Sequence, residues 1–119
     1  MTTKWVNLTP HEVKVLDNDG NVILTVPPSG KVARVSTTEV FTGEIGNIKL
    51  FRVTYGEIQD LPAPEPNTIY IVSSIVLMAL KEKGIKRTDV VSPNTNPSIN
   101  GAVRDAKGQI IGVKSFITL

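Results

Sequence analysis

With 119 residues, 40% of them hydrophobic and 20% charged, the chain is long enough for one core, too short for two, and too apolar for intrinsic disorder. Thirteen basic and eleven acidic residues leave a formal charge of +2. They are interspersed rather than blocked, which argues against DNA or RNA binding despite a pI near 9.0. The chain has no cysteine, which removes disulfides, thiolate metal sites and cysteine nucleophiles together.

Lys4-Trp5-Val6-Asn7-Leu8 reads as a first strand, with Trp5, the only tryptophan, as a core or interface anchor. Thr9-Pro10-His11-Glu12 turns the chain, Pro10 fixing φ and the Thr9 hydroxyl closing the turn locally. Val13–Leu16 and Val22–Val26 flank Asp17-Asn18-Asp19-Gly20, a strong hairpin signal. After Pro27-Pro28-Ser29-Gly30, the alternation Val32-Ala33-Arg34-Val35 resumes extended structure, and Gly43–Asn47 marks another turn. Ile48–Tyr55 is a clear strand that Gly56 is expected to break. Three prolines between Leu61 and Asn67 force an extended surface connector, too short to link domains.

Thr68–Thr95 carries the densest information. Thr68–Val72 is β-branched and aromatic, a buried strand. Ser73 and Ser74 precede a helix expected over Ile75–Lys83, which stops at Gly84. That helix start offers free amides and a positive dipole end, suited either to a phosphate or to simple serine capping. Arg87-Thr88-Asp89, the pair Val90-Val91 and Ser92-Pro93-Asn94-Thr95 follow. They form either a ligand edge, with a guanidinium, an amide and hydroxyls, or a salt-bridged turn. Arg104-Asp105 carries the same two readings, and Ile110–Leu119 is expected as one long closing strand held in a sheet or an interface. Together these elements predict a single α+β domain over residues 1–119, a small and largely antiparallel sheet with one main helix. Its exposed sheet edges lead us to expect a homo-oligomer.

Nothing in the residues argues for catalysis. His11 stands alone, without a second histidine or a cysteine for a metal. No P-loop or G-x-G-x-x-G is present, and Asp17/Asp19 and Asp60/Glu65 read as solvated turn formers. The start of the chain lacks a signal-peptide apolar region, and Ile75–Leu80 is too short to cross a bilayer. The expectation is therefore a cytoplasmic protein that needs no metal or cofactor and does not enter membranes.

Four stretches carry a family resemblance: Val6-Asn7-Leu8-Thr9-Pro10-His11, Ile69-Tyr70-Ile71-Val72-Ser73, Arg87 through Thr95, and Val103-Arg104-Asp105 with Gly108-Gln109-Ile110-Ile111-Gly112-Val113. Together they resemble small phage and prophage proteins, and within these the first type of Thoeris anti-defence protein. The resemblance spans nearly the whole chain. It implies a phage-encoded sponge in the host cytoplasm that binds a cyclic ADP-ribose-type signal, leaves it intact, and so blocks Thoeris defence. It also implies dimers or hexamers with pockets shared between subunits. A second site for cyclic trinucleotides, found in some members, is a further expectation. On this reading Arg87, Asn94, Thr95 and Arg104 are the leading pocket residues, with Arg87 on the pyrophosphate and Asn94 on the base or ribose edge. Thr88, Asp89, Ser92, Ser73 and Ser74 complete the candidate ligand set. Ring stacking falls to Tyr55, Tyr70 or an arginine plane. The alternatives are a phage structural or assembly protein that oligomerises through sheet edges, and an enzyme that cleaves the nucleotide.

Overall fold

The computed structural model describes residues 2–119. Among them, ten strands and one helix run in the order β1 (Lys4–Asn7), β2 (Val13–Leu16), β3 (Val22–Val26), β4 (Arg34–Ile45), β5 (Ile48–Gln59), β6 (Thr68–Ile71), α1 (Ser74–Glu82), β7 (Val90–Pro93), β8 (Ala102–Arg104), β9 (Ile110–Val113) and β10 (Phe116–Thr118). The chain is an α+β domain made mostly of sheet, as its composition of elements led us to expect.

One sheet has the order β1-β6-β7-β10 and a second the order β3-β2-β9-β8. In the first, β1, β6 and β7 are parallel and only β10 runs against its neighbour. A parallel trio at the centre was not legible from the sequence, because β1 and β6 are sixty residues apart and parallel pairing leaves no local turn signal. Between β6 and β7 the chain crosses over through α1, so β6-α1-β7 is a strand–helix–strand unit.

The central sheet is covered on both sides, and strand alternation decides which residue faces which cover. Tyr70, Val72, Val90 and Val6 meet Val76, Leu77 and Leu80 of α1, together with Val35, Ile58 and Leu61. Ile71, Trp5 and Val91 face the opposite way, onto Val13, Val26 and Leu24 of the second sheet and onto Phe116. Trp5 and Phe116 stack with ring centroids 5.4 Å apart, so the tryptophan is a core anchor between strands. Val72, Val76 and Val90 are fully buried, and each contributes about 1.5–3 kcal/mol of apolar burial. Val76→Asp, which places a charge between helix and sheet, would break this layer.

Helix α1 ends in a Schellman arrangement. Gly84 takes φ +68°, its N–H donates to the Lys81 carbonyl at 3.1 Å, and the Ile85 N–H donates to Leu80 at 3.0 Å. Glycine at this position has no Cβ to oppose the left-handed conformation, so the stop is encoded locally.

Three strand boundaries differ from expectation. The turn expected over Gly43–Asn47 is confined to Gly46-Asn47, because β4 pairs with β5 through Ile45. Residues 110–119 do not form one strand: β9 belongs to the second sheet and β10 to the central one, with a break at Lys114-Ser115. The break lets the chain pass from one sheet to the other and tie them together. Gly56 does not end its strand either, because β5 runs through it to Gln59. There the register with β4 shifts by one residue, and a Cβ on Gly56 would collide with the Ser36 side chain. The glycine admits a bulge, not a break. The resulting β4–β5 ribbon, 12 residues in each strand, extends well beyond the two sheets. The molecule measures 52 × 38 × 22 Å, with a radius of gyration of 16.5 Å where a compact chain of this length has about 13.5 Å.

Candidate functional site

The site forms where three parallel strands end on the same side. β1 leads into Leu8-Thr9, β6 into Ser73 and Ser74 at the start of α1, and β7 into Asn94-Thr95. Parallel sheets leave a crevice at such carboxyl ends, and the helix that follows points its amides into it. Here the crevice is an open cleft of about 390 Å³, within the range of small-ligand pockets. Ser73, Ser74, Ser92, Pro93 and Thr95 line it from the strand ends, Thr9, His11 and Lys14 from the β1–β2 corner, and Ile110, Ile111, Gly112 and Val113 from β9.

The β1–β2 corner is held rigidly by a buried asparagine. Asn7 Nδ2 donates to the carbonyls of His11 (2.7 Å) and Val26 (3.0 Å), and its Oδ1 accepts from the Thr9 N–H (3.0 Å) and the Thr9 hydroxyl (2.7 Å). All the hydrogen-bonding capacity of that amide is used. The Thr9 hydroxyl closes the turn, as its position before Pro10 suggested.

At the helix start the arrangement is open. Ser73 is the N-cap residue in an extended conformation, yet its hydroxyl makes no cap hydrogen bond, and no acidic residue occupies the first turn. The first-turn amides are left without a side-chain acceptor, and the positive end of the helix is unneutralised. Ser92, in β7, is 2% exposed as a residue and lines the cleft, and since no buried side-chain oxygen among the described residues lacks a partner, its hydroxyl is not sealed off from that cleft. An uncapped helix start and a cleft-lining hydroxyl therefore converge on one cavity. The cation there is Lys14, 3.6 Å from Glu12 and half-exposed.

The sequence-level candidates divide between the two ends of β7. Ser73, Ser74, Ser92 and Thr95 line the cleft. Arg87 and Asp89 precede β7 at its other end and are bonded to each other, Nε to Oδ1 at 2.7 Å and an outer guanidinium N–H to Oδ2 at 2.9 Å. Arg87 also donates to the Pro62 carbonyl at 3.0 Å, fastening the proline connector. The Arg87 guanidinium, by hydrogen bond and charge, holds the Asp89 carboxyl below its ordinary value, with burial opposing. Thr88 is exposed between them. Asn94 is buried at the cleft end but faces the loop behind it. Its Nδ2 donates to Asn100 O (3.2 Å) and Ser115 Oγ (3.1 Å), and its Oδ1 accepts from the Asn96 N–H (3.1 Å). Arg104 is exposed on β8 and donates to the Gly108 carbonyl across the β8–β9 turn at 2.6 Å.

No family model, curated protein or solved structure matches this chain. The chemistry of the site is therefore read from its own residues. Among the described residues no three His, Cys, Asp or Glu side chains converge as metal ligands, and no helix is long and apolar enough to cross a membrane. Neither tyrosine lines the cleft. Tyr70 is buried and donates to the Ala63 carbonyl at 3.2 Å, and Tyr55 lies at the root of the ribbon. The apolar wall is instead Val13, Pro93, Ile110, Ile111 and Val113.

Sequence reasoning missed two contributors. Lys14 carried no motif, and its place opposite Ser92 depends on β2 pairing with β9. Arg34 lines a second cleft of about 480 Å³ on the far side of Ser73, with Gln59 and Ser36. Alternation along Val32–Val35 gave Arg34 its face, but nothing local indicated that Ser73 would share its cleft.

Proposed function

We propose that the chain is a non-enzymatic binder that sequesters a cyclic ADP-ribose-type nucleotide signal in the cleft at the carboxyl ends of β1, β6 and β7. The observation that carries this reading is the uncapped start of α1 beside the cleft-lining Ser92 hydroxyl. A phosphate or pyrophosphate satisfies both, accepting from the first-turn amides and from Ser73, Ser74, Ser92 and Thr95. Lys14 and His11 add donors at the rim, and Ile110 and Ile111 offer an apolar wall to a base or ribose. The resemblance to Thoeris anti-defence sponges supplies the signal class and the biological setting, suppression of anti-phage defence in the host cytoplasm. On this reading Asn94 braces the loop behind the cleft, while Arg87 and Asp89 fasten the far end of β7 to the proline connector, and Thr88 and Arg104 stay outside the site.

Melting the protein with cyclic ADP-ribose and its ring isomers tests the proposal. A ligand at 100 times its Kd adds roughly 2.7 kcal/mol of stability, and heating the complex should release the nucleotide intact. If no isomer shifts the melting temperature, the reading fails. Cleaved nucleotide after incubation would point to an enzyme instead.

The second reading, a phage structural or assembly protein, draws on the apolar β4–β5 ribbon that projects from the body. Co-purification with virion proteins and no nucleotide binding would favour it.

A further inference from the structure

The cleft at the carboxyl ends of β1, β6 and β7 is poor in charge for an anion site. Among the described residues, the formally charged ones that line it are Lys14 and Glu12, and they cancel. Both flank Val13, which is buried in the core, so strand alternation turns the two side chains away from it together. The Lys14 ammonium lies 3.6 Å from the Glu12 carboxylate, each side chain half-exposed. None of the chain's four arginines lines the cleft. Arg87 is bonded to Asp89 and the Pro62 carbonyl, Arg104 to the Gly108 carbonyl, Arg34 lines the neighbouring cleft, and Arg52 is on the ribbon. What the wall offers an anion is neutral donors: the hydroxyls of Ser73, Ser74, Ser92 and Thr95, and the amides at the uncapped start of α1.

We propose that Glu12 is a specificity-determining residue that restricts this cleft to phosphates carrying one negative charge each. The ligand class is then a phosphodiester or an internal pyrophosphate, and terminal phosphate monoesters are turned away. This restriction deepens the nucleotide reading, on which it rests, by naming the charge state of the ligand.

A phosphate monoester carries about −1.5 to −2 charges at pH 7. Holding the second charge ordinarily takes a guanidinium or an unpaired ammonium. Here the ammonium is already neutralised, so the second charge meets the Glu12 carboxylate with nothing to balance it. A diester or an internal pyrophosphate makes no such demand. Hydroxyls and first-turn amides suffice for one charge per phosphorus. Rejecting monoesters has a use in any cell, where nucleoside mono-, di- and triphosphates compete for a cleft that accepts phosphate. Specificity is the difference between those affinities, and a placed repulsion widens it.

Adenosine 5′-monophosphate and its methyl ester, a diester of nearly the same shape, isolate the charge. Titration of each into the full chain at low salt, followed by NMR, gives the ratio of the two affinities. The wild-type protein should favour the methyl ester. Glu12→Gln should move the ratio about threefold to fivefold toward the monophosphate, the effect of one half-exposed charge. That shift should shrink at about 1 M salt, where the Debye length is about 3 Å, a response that a structural role for Glu12 does not produce. Lys14→Gln, which leaves the carboxylate unbalanced, should move the ratio the other way, and it decides the matter if Glu12→Gln fails to fold. A wild-type protein that favours the monophosphate overturns the proposal, as does a ratio indifferent to both substitutions or a cleft that binds neither probe. The signal reading fails separately. Cyclic ADP-ribose that shifts the melting temperature while the ratio ignores Glu12 keeps that reading and ends this one. Probes that bind with the expected ratio, while no ring isomer moves the melting temperature, do the reverse.

Discussion

The two ends of β7 look alike in sequence and behave as opposites in the structure. At the end where the strand begins, Arg87 and Asp89 bond each other and a backbone carbonyl. At the end where it finishes, the Ser92 hydroxyl lines an open cleft, beside a helix whose N-cap serine does not cap. A charged pair is thus the scaffold, and a neutral hydroxyl is the better ligand candidate. The difference teaches that ligand capacity follows from unspent hydrogen-bonding groups, not from charge density along the chain.

Breaking the closed end should have the largest effect. Arg87→Ala strands the mostly enclosed Asp89 carboxylate and frees the proline connector, so urea unfolding should show a loss of about 2–3 kcal/mol. Nucleotide affinity, measured by calorimetry on the folded fraction, should change by less than about twofold. A large affinity loss with stability intact would return Arg87 to the ligand site.

Asn94→Ala should cost about 1–3 kcal/mol, because it leaves the Asn96 amide without its acceptor and removes one of the two donors to the Asn100 carbonyl. The contrast is Ser92→Ala, where stability should move by no more than about 0.5 kcal/mol while affinity drops roughly fivefold to tenfold for one lost hydrogen bond. If Ser92→Ala instead destabilises the protein and leaves binding untouched, its hydroxyl has a structural partner and the comparison collapses.

The closed end also has a pH signature. The Arg87 hydrogen bond and charge lower the Asp89 pKa in the fold. The stabilisation is therefore complete above the carboxylate's unfolded value, about 3.9, and is lost as pH falls through the folded value. Melting temperature should decline as pH drops below about 4, and Asp89→Asn should flatten that decline; an equally steep curve in the variant would assign it to other carboxylates. The smallest effect is expected at Arg104→Ala, an exposed turn contact worth less than about 0.5 kcal/mol.

Particular residues mark how far the sequence could be read. The Asp17–Gly20 hairpin, the Gly84 helix stop and the Thr9 turn follow from short-range backbone chemistry, and the fold contains all three. Ser73 was identifiable as a polar group at a helix start and Ser92 as part of a polar edge, but that the two line one cleft depends on which strands lie side by side. Gly56 shows the limit within one strand. Glycine in a strand signals a break or a bulge, and only the approach of Ser36 from the paired strand selects the bulge.

The sequence by itself determined the main element types, the Asp17–Gly20 hairpin and the Gly84 helix stop, because each depends on residues within one turn or one hairpin of each other. Tertiary structure alone decided the parallel trio β1-β6-β7, the split of residues 110–119 between two sheets, and the separation of Arg87–Thr95 into a closed end and an open one. Those outcomes depend on pairings between distant segments, which apolar periodicity makes favourable without naming the partner.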